Sequence, residues 1–156
     1  MAKKQALKQT IGRAESVDLP DIGLNGLEAK VDTGAYSCSI HCHSVEKIER
    51  EGKEFIRVTF IHPSDKSKKE KVIIFDTFSV KRIKNSFGHS EKRFMIKTNL
   101  EIFGKKYLTE FSLSNRENLR FPLLVGRKFL KARFVVDVSK YNQSLKFIKR
   151  KKKYNL

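Results

Sequence analysis

The sequence predicts an all-β domain, closed or nearly closed, with one or two short helices. Several short segments rich in β-branched and aromatic residues alternate or run apolar, as pleated strands require. Polar turn signals stand between them. Helical spacing occurs in only two short stretches.

Taken in order, Asn25-Gly26 suits a hairpin between residues 16–19 and 27–31, with Asp21-Ile22-Gly23 lengthening the connection. Residues 44–50 put Val45 and Ile48 at helical spacing and read as a short helix. Glu51-Gly52-Lys53 turns the chain into a strand over 54–61 (EFIRVTFI). A polar loop over 62–70 (HPSDKSKKE) leads to a strand over 71–78 (KVIIFDTF). The clearest hairpin joins 94–103 (FMIKTNLEIF) to 107–113 (YLTEFSL) through Gly104. Residues 121–130 (FPLLVGRKFL) read as an apolar strand, then Gly-Arg, then a helix over 127–132 with Phe129 and Leu130 on its apolar face. A strand over 133–138 (RFVVDV) ends the series. Neither a repeat nor a linker interrupts it, so one domain is expected over 11–141, between basic tails at 1–10 and 142–156.

Composition narrows the class. The chain has 156 residues, 39% hydrophobic and 33% charged, which suits one globular domain with a modest core. No apolar run approaches the roughly 20 residues that span a bilayer, and no membrane partner is expected. The first ten residues have no apolar core of a secretory signal. Two cysteines cannot build a disulfide scaffold. A cytoplasmic protein is expected.

Charge is the outlier, with 34 Lys+Arg against 17 Asp+Glu for a net +17. Residues 1–10 contribute +3 and residues 138–156 contribute +7, neither with an acid. Such tails read as solvated ends or as arms for RNA, a ribosome or an acidic protein. The sequence has no aromatic RNA-binding strand signature and no GXXG loop to favour RNA.

The chemistry-bearing stretch is 29–40 (AKVDTGAYSCSI). An apolar strand ends at Val31, and Asp32 follows where a carboxylate can be held partly dry, a setting useful for an acid or base. Gly34 permits a tight turn and close approach of a ligand backbone. Alone, Asp-Thr-Gly also reads as an ordinary Asx turn.

A strand ending in D-T-G-A, followed much later by an apolar strand ending in Gly126-Arg127 and a short helix, resembles the retropepsin-like aspartic peptidases. Further landmarks are Ile11-Gly12-Arg13, Leu19-Pro20, Gly88-His89, Thr98, Leu113-Ser114-Asn115-Arg116 and residues 133–137. With these, the chain over about 11–141 resembles the bacterial retropepsin-like family labelled ATP-dependent zinc protease. That family often lies near glutamate ligases that add acidic tails to ribosomal proteins.

The resemblance implies a closed six-stranded acid-protease barrel and a peptidase mechanism. Asp32, Thr33 and Gly34 are then catalytic, and Ala35, Tyr36, Phe87, Gly88, Gly126 and Arg127 belong to the substrate cleft. Two carboxylates close together share one proton, so one can activate a water while the other donates to the scissile carbonyl. One chain offers one D-T-G, so a homodimer pairing Asp32 with its copy is the leading reading, with Thr33 tying the loops together. Asp76 and Asp137 are the internal alternatives; Phe78 stands where Asp76 would need a glycine. A flap is expected over 82–93, with Asn85, Ser86 and Gly88 in its turn and Phe87 at its tip. The resembled families place an acid shortly after D-T-G-A to pair with the Gly-Arg arginine, or an Arg directly after it. This chain has Tyr36 and Ser37 there, leaving the partner of Arg127 unassigned.

The family label raises zinc and ATP. Cys38, His41, Cys42 and His43 are attractive zinc donor types, but a strand sends the cysteines to one face and the histidines to the other. His62 and His89 stand alone in loops, and the chain has no H-E-x-x-H, no C-x-x-C and no phosphate-binding G-x-x-x-x-G-K-[ST]. No metal and no cofactor is expected. The functional expectation is an aspartic endopeptidase acting on a peptide or protein, with an acidic, glutamate-rich tail suggested by the charge. The competing reading is a non-catalytic barrel that binds a peptide, RNA or the ribosome.

Overall fold

The structure, a computed structural model, describes residues 7–62, 66–67, 69–84, 87–115 and 120–154. Asn85, Ser86, Arg116 and residues 1–6 of the basic N-terminal segment lie outside the described residues. Twelve strands are present among the described residues. They are β1 (Gln9–Ile11), β2 (Ala14–Leu19), β3 (Leu24–Val31), β4 (Cys38–His41), β5 (Ser44–Arg50) and β6 (Lys53–Ile61). Then come β7 (Glu70–Phe75), β8 (Ser79–Lys84), β9 (Ser90–Ile102), β10 (Lys105–Ser114), β11 (Leu123–Val125) and β12 (Phe134–Val136). Two α-helices, α1 (Arg127–Leu130) and α2 (Gln143–Tyr154), accompany them.

Strands β10, β4, β11, β3, β2 and β9 pair in that order, and β9 pairs back to β10, which closes a six-stranded barrel. Val17, Leu27, Ala29, Ile40, Leu100, Phe111 and Leu123 are buried within it; along β2 and β3 the buried positions alternate with exposed or half-buried ones. Strand β8 extends the sheet beyond β9 as a hairpin. A separate antiparallel sheet of β5, β6 and β7 adds Ile56, Val58 and Phe60 to the core. Among the described residues no helix is long and apolar enough to cross a membrane.

The β9–β10 hairpin forms where predicted, around Phe103 (φ 52°) and Gly104 (φ 72°). Three expectations need correction. The β2–β3 connection is made by a 3-10 turn over Pro20–Ile22 and by Gly23; Asn25-Gly26 lies inside β3, where the Gly26 N–H donates to Asp18 Oδ1 at 2.7 Å. Residues 44–50 are strand β5, not a helix: each pairs across to β6, and Glu46 forms a cross-strand ion pair with Arg57 at 2.5 Å.

The third concerns the C-terminal basic stretch, which is helical over Gln143–Tyr154 and docked on the barrel. The fully buried carboxylate of Glu15 accepts from the N–H groups of Gly12, Gln143 and Ser144 at 3.0, 3.1 and 2.8 Å. A helix N-terminus leaves such donors unpaired, and a carboxylate suits its positive end. Ser144 Oγ in turn accepts from the Phe103 N–H at 2.8 Å, and Phe147 packs edge-on against the Phe103 ring. At the other end of the described chain, β1 pairs in parallel with β12, with Gln9 opposite Phe134.

Candidate functional site

The candidate site is built by a chain crossing. Strand β11 lies parallel to β3, with Leu123 opposite Ala29 and Val125 opposite Val31. On its other side it runs antiparallel to β4, with Leu123 opposite Ile40. Strands β3 and β4 are consecutive in the chain, so the loop joining them must pass over the end of β11. That loop contains Asp32, Thr33, Gly34, Ala35 and Tyr36.

Backbone hydrogen bonds fix it from beneath. The Asp32 N–H donates to the Val125 carbonyl at 2.9 Å. Arg127 N–H donates to the Ala35 carbonyl at 2.8 Å and Lys128 N–H to the Tyr36 carbonyl at 3.0 Å. Gly126 occupies the crossing point. A Cβ there would stand 2.5 Å from the Ser37 carbonyl oxygen and 2.7 Å from that of Tyr36, so a side chain is excluded by backbone.

Asp32 is half-buried, and its Oδ1 accepts from the Gly34 N–H at 2.9 Å. Its Oδ2 takes no hydrogen bond among the described residues. Thr33 and Gly34 are exposed, so the loop faces solvent rather than the core. Arg127 reaches back to donate from Nη1 to the Thr33 carbonyl at 3.0 Å, with its guanidinium 6.0 Å from the centre of the Tyr36 ring. No carboxylate lies in ion-pair range of it among the described residues. An open groove of about 600 Å³ adjoins the loop, lined by Tyr36, Leu130 and Phe134 and by the cations Lys8, Lys128 and Lys131.

Seven of the nine predicted site residues therefore meet at one crossing: Asp32, Thr33, Gly34, Ala35, Tyr36, Gly126 and Arg127. Phe87 and Gly88 sit elsewhere, in the turn between β8 and β9, where Phe87 is 85% exposed. Sequence reasoning missed Glu15, which fixes α2 from 129 residues away and has no local signature.

The zinc donors do not fit. Cys38 and Cys42 are buried in the core, and burial pushes each thiol from its ordinary 9.0 up to about 11, away from the thiolate that zinc needs. Among the described residues no three His, Cys, Asp or Glu side chains gather around a common point.

A six-stranded barrel carrying an Asp-Thr-Gly loop crossed by a Gly-Arg strand defines the retropepsin-like class. The profile described as RimB-like, retropepsin-like aspartic endopeptidase RimB, matches residues 10–151, and the chain belongs to that family. Two relatives carry the name probable alpha-L-glutamate ligase. The one from Desulfotalea psychrophila is 35% identical over 131 residues, covering 83% of this chain and 28% of the relative. The one from Shewanella pealeana is 32% identical over 135 residues, covering 85% and 29%. The chain thus spans less than a third of the length of these curated relatives. Among solved structures, Lpg0085 from Legionella pneumophila, a protein of unknown function, superposes with a TM-score of 0.68 at 26% identity, over 87% of this chain and 98% of its own.

Proposed function

We propose that this chain is an aspartic peptidase that acts as a two-fold dimer, each copy supplying one Asp32, on an acidic peptide such as a glutamate-rich tail. The observation that carries this reading is the Asp32 loop itself: held by backbone from β11 and α1, open to solvent, with one carboxylate oxygen fixed and the other unengaged. The internal candidates have other commitments. Asp76 follows β7 in the three-stranded sheet and accepts from Thr77 Oγ1 at 3.3 Å. The hydroxyl and N–H of Ser139 hold Asp137 below the usual carboxylate range, so it favours staying ionised rather than sharing a proton.

In the paired site one Asp32 is ionised and its copy protonated, because two adjacent carboxylates cannot both ionise. The ionised member takes a proton from water as the water oxygen attacks the scissile carbonyl; the protonated member donates to the carbonyl oxygen. Collapse of the tetrahedral intermediate breaks the C–N bond and passes a proton to the leaving amine. Thr33 and Arg127 position the loop, and the β8–β9 hairpin serves as a flap with Phe87 near its tip. An acidic substrate is supported by the net +17, by the cations of the adjoining groove and by relatives named for glutamate ligation, whose product would be acidic.

The test mixes wild-type chain with increasing Asp32→Asn chain and follows cleavage of a glutamate-tailed peptide. Mixed dimers carry one carboxylate, so activity falls more steeply than simple dilution. Activity that only dilutes overturns the shared pair. A second reading, a barrel that holds an acidic peptide without cutting it, is favoured by the ligase name of the relatives. Unchanged peptide binding with no cleavage by the wild-type chain decides for it.

A further inference from the structure

Helix α2 carries Lys146, Lys149, Arg150, Lys151, Lys152 and Lys153 and no acid. Four of these, Lys146, Lys149, Arg150 and Lys153, follow the i, i+3, i+4, i+7 spacing of a single helix face, and all four are exposed. The opposite face holds Ser144, Phe147 and Ile148, which turn toward the barrel. Like charges three and four residues apart repel and weaken a helix. The helix dipole compensates cations in the last turn, but Lys146 stands near the N-terminal end, where a cation is disfavoured. None of the four forms an ion pair with a carboxylate among the described residues; Lys146 and Lys153 lie over the rings of Tyr141 and Tyr154. Despite this cost the helix is fixed, since the buried Glu15 carboxylate clamps its first N–H groups.

We infer that this stripe is an exosite for the acidic chain of the substrate, separate from the Asp32 loop; the inference rests on the acidic-substrate reading above. Glu15 pairs with Ala29, three residues before Asp32 on β3, so the base of α2 lies about 10 Å along the sheet from the catalytic loop. The first turns of the helix lie against the β9–β10 turn, where Ser144 Oγ accepts from the Phe103 N–H and Phe147 meets the Phe103 ring. Its 12 residues extend about 18 Å. An extended chain covers about 3.3 Å per residue, so an acidic tail must run about eight residues past the scissile bond to reach the far cations. Charge complementarity selects the occupant: six cations and no acid along the helix suit a carboxylate-bearing peptide, and a single-stranded nucleic acid is a competing outcome of the test.

The experiment measures fluorescence anisotropy with the full Asp32→Asn chain, using peptides ending in about four or about twelve glutamates. It is repeated with Lys146→Gln, Lys149→Gln, Arg150→Gln and Lys153→Gln added together. The long tail is expected to lose about tenfold in affinity, the short tail markedly less, and the difference to shrink with salt. Lys149→Glu alone provides a second variant and is expected to weaken the long tail more than Lys149→Gln. Equal affinities for wild-type and substituted helices overturn the inference. So does tighter binding of a single-stranded RNA of matched charge through the same four residues. Because binding is read without turnover, a wild-type chain that cleaves nothing would sink the peptidase reading and leave this result standing.

Discussion

Arg127 donates from Nη1 to the Thr33 carbonyl at 3.0 Å, bridging two segments 94 residues apart in the chain. With Tyr36 under its guanidinium, it braces the Asp32 loop through a carbonyl and a ring instead of the carboxylate that retropepsin-like sequences place there. Arg127→Met keeps most of the stem and removes both interactions. The expected loss is about 1 kcal/mol of stability, read as a thermal midpoint lowered by about 3 °C, together with reduced peptide cleavage. Arg127→Lys restores charge but not the planar fork and should recover little. Full activity in Arg127→Met would show that the loop holds its shape without this brace.

Gly126 and Gly34 are predicted to respond differently to alanine. At Gly126 the new Cβ meets two backbone carbonyl oxygens at 2.5 and 2.7 Å, neither of which can rotate away. A loss of about 3 kcal/mol is expected in urea unfolding. At Gly34 the Cβ meets only the Asp32 carboxylate oxygen at 3.2 Å. Gly34→Ala should therefore unfold nearly as the wild type while cleavage drops, because the carboxylate is displaced. The reverse order of stabilities would contradict this account of the crossing.

Glu15→Ala strands the buried N–H groups of Gly12 and Ser144 and the half-buried one of Gln143, and removes the anchor of α2. The cost is expected to be about 3–5 kcal/mol, with amide exchange at Gln143 and Ser144 accelerated beyond the rest of the barrel. Exchange that speeds up uniformly would mean that α2 and the barrel open only together.

Cys38 and Cys42 each titrate near 11 in the folded chain, against an ordinary 9.0. The folded state therefore holds its thiol protons longer than the unfolded state. Stability should be unaffected by them below about pH 9 and should fall as pH rises from there toward about 11. Both thiols should react slowly with a disulfide reagent at pH 8 until denaturant is added. Rapid labelling of native protein would show that the thiols are accessible.

Much of the barrel is legible in the sequence because its pattern is local. The β9–β10 hairpin shows alternation on both arms around Phe103-Gly104, and the crossing announces itself through Asp32-Thr33-Gly34 and Gly126-Arg127. Strand β5 is misread because Val45 and Ile48 fit a helical period; the opposing evidence lies in β6, where Arg57 answers Glu46 across the hairpin. The hairpin turn is displaced from Asn25-Gly26 because Asp18 holds Gly26 within the strand. Helix α2 looks like a charged tail because its stabilising contacts, Glu15 and Phe103, are distant in sequence.

The placement of β11 has a consequence for biosynthesis. Residues 24–41 are made well before residues 123–125, the wedge that separates β3 from β4. Such non-local pairing makes for slow, late consolidation. A chain cut short before β11 would lack a shaped Asp32 loop, so whatever chemistry that loop performs waits on a strand made long after it.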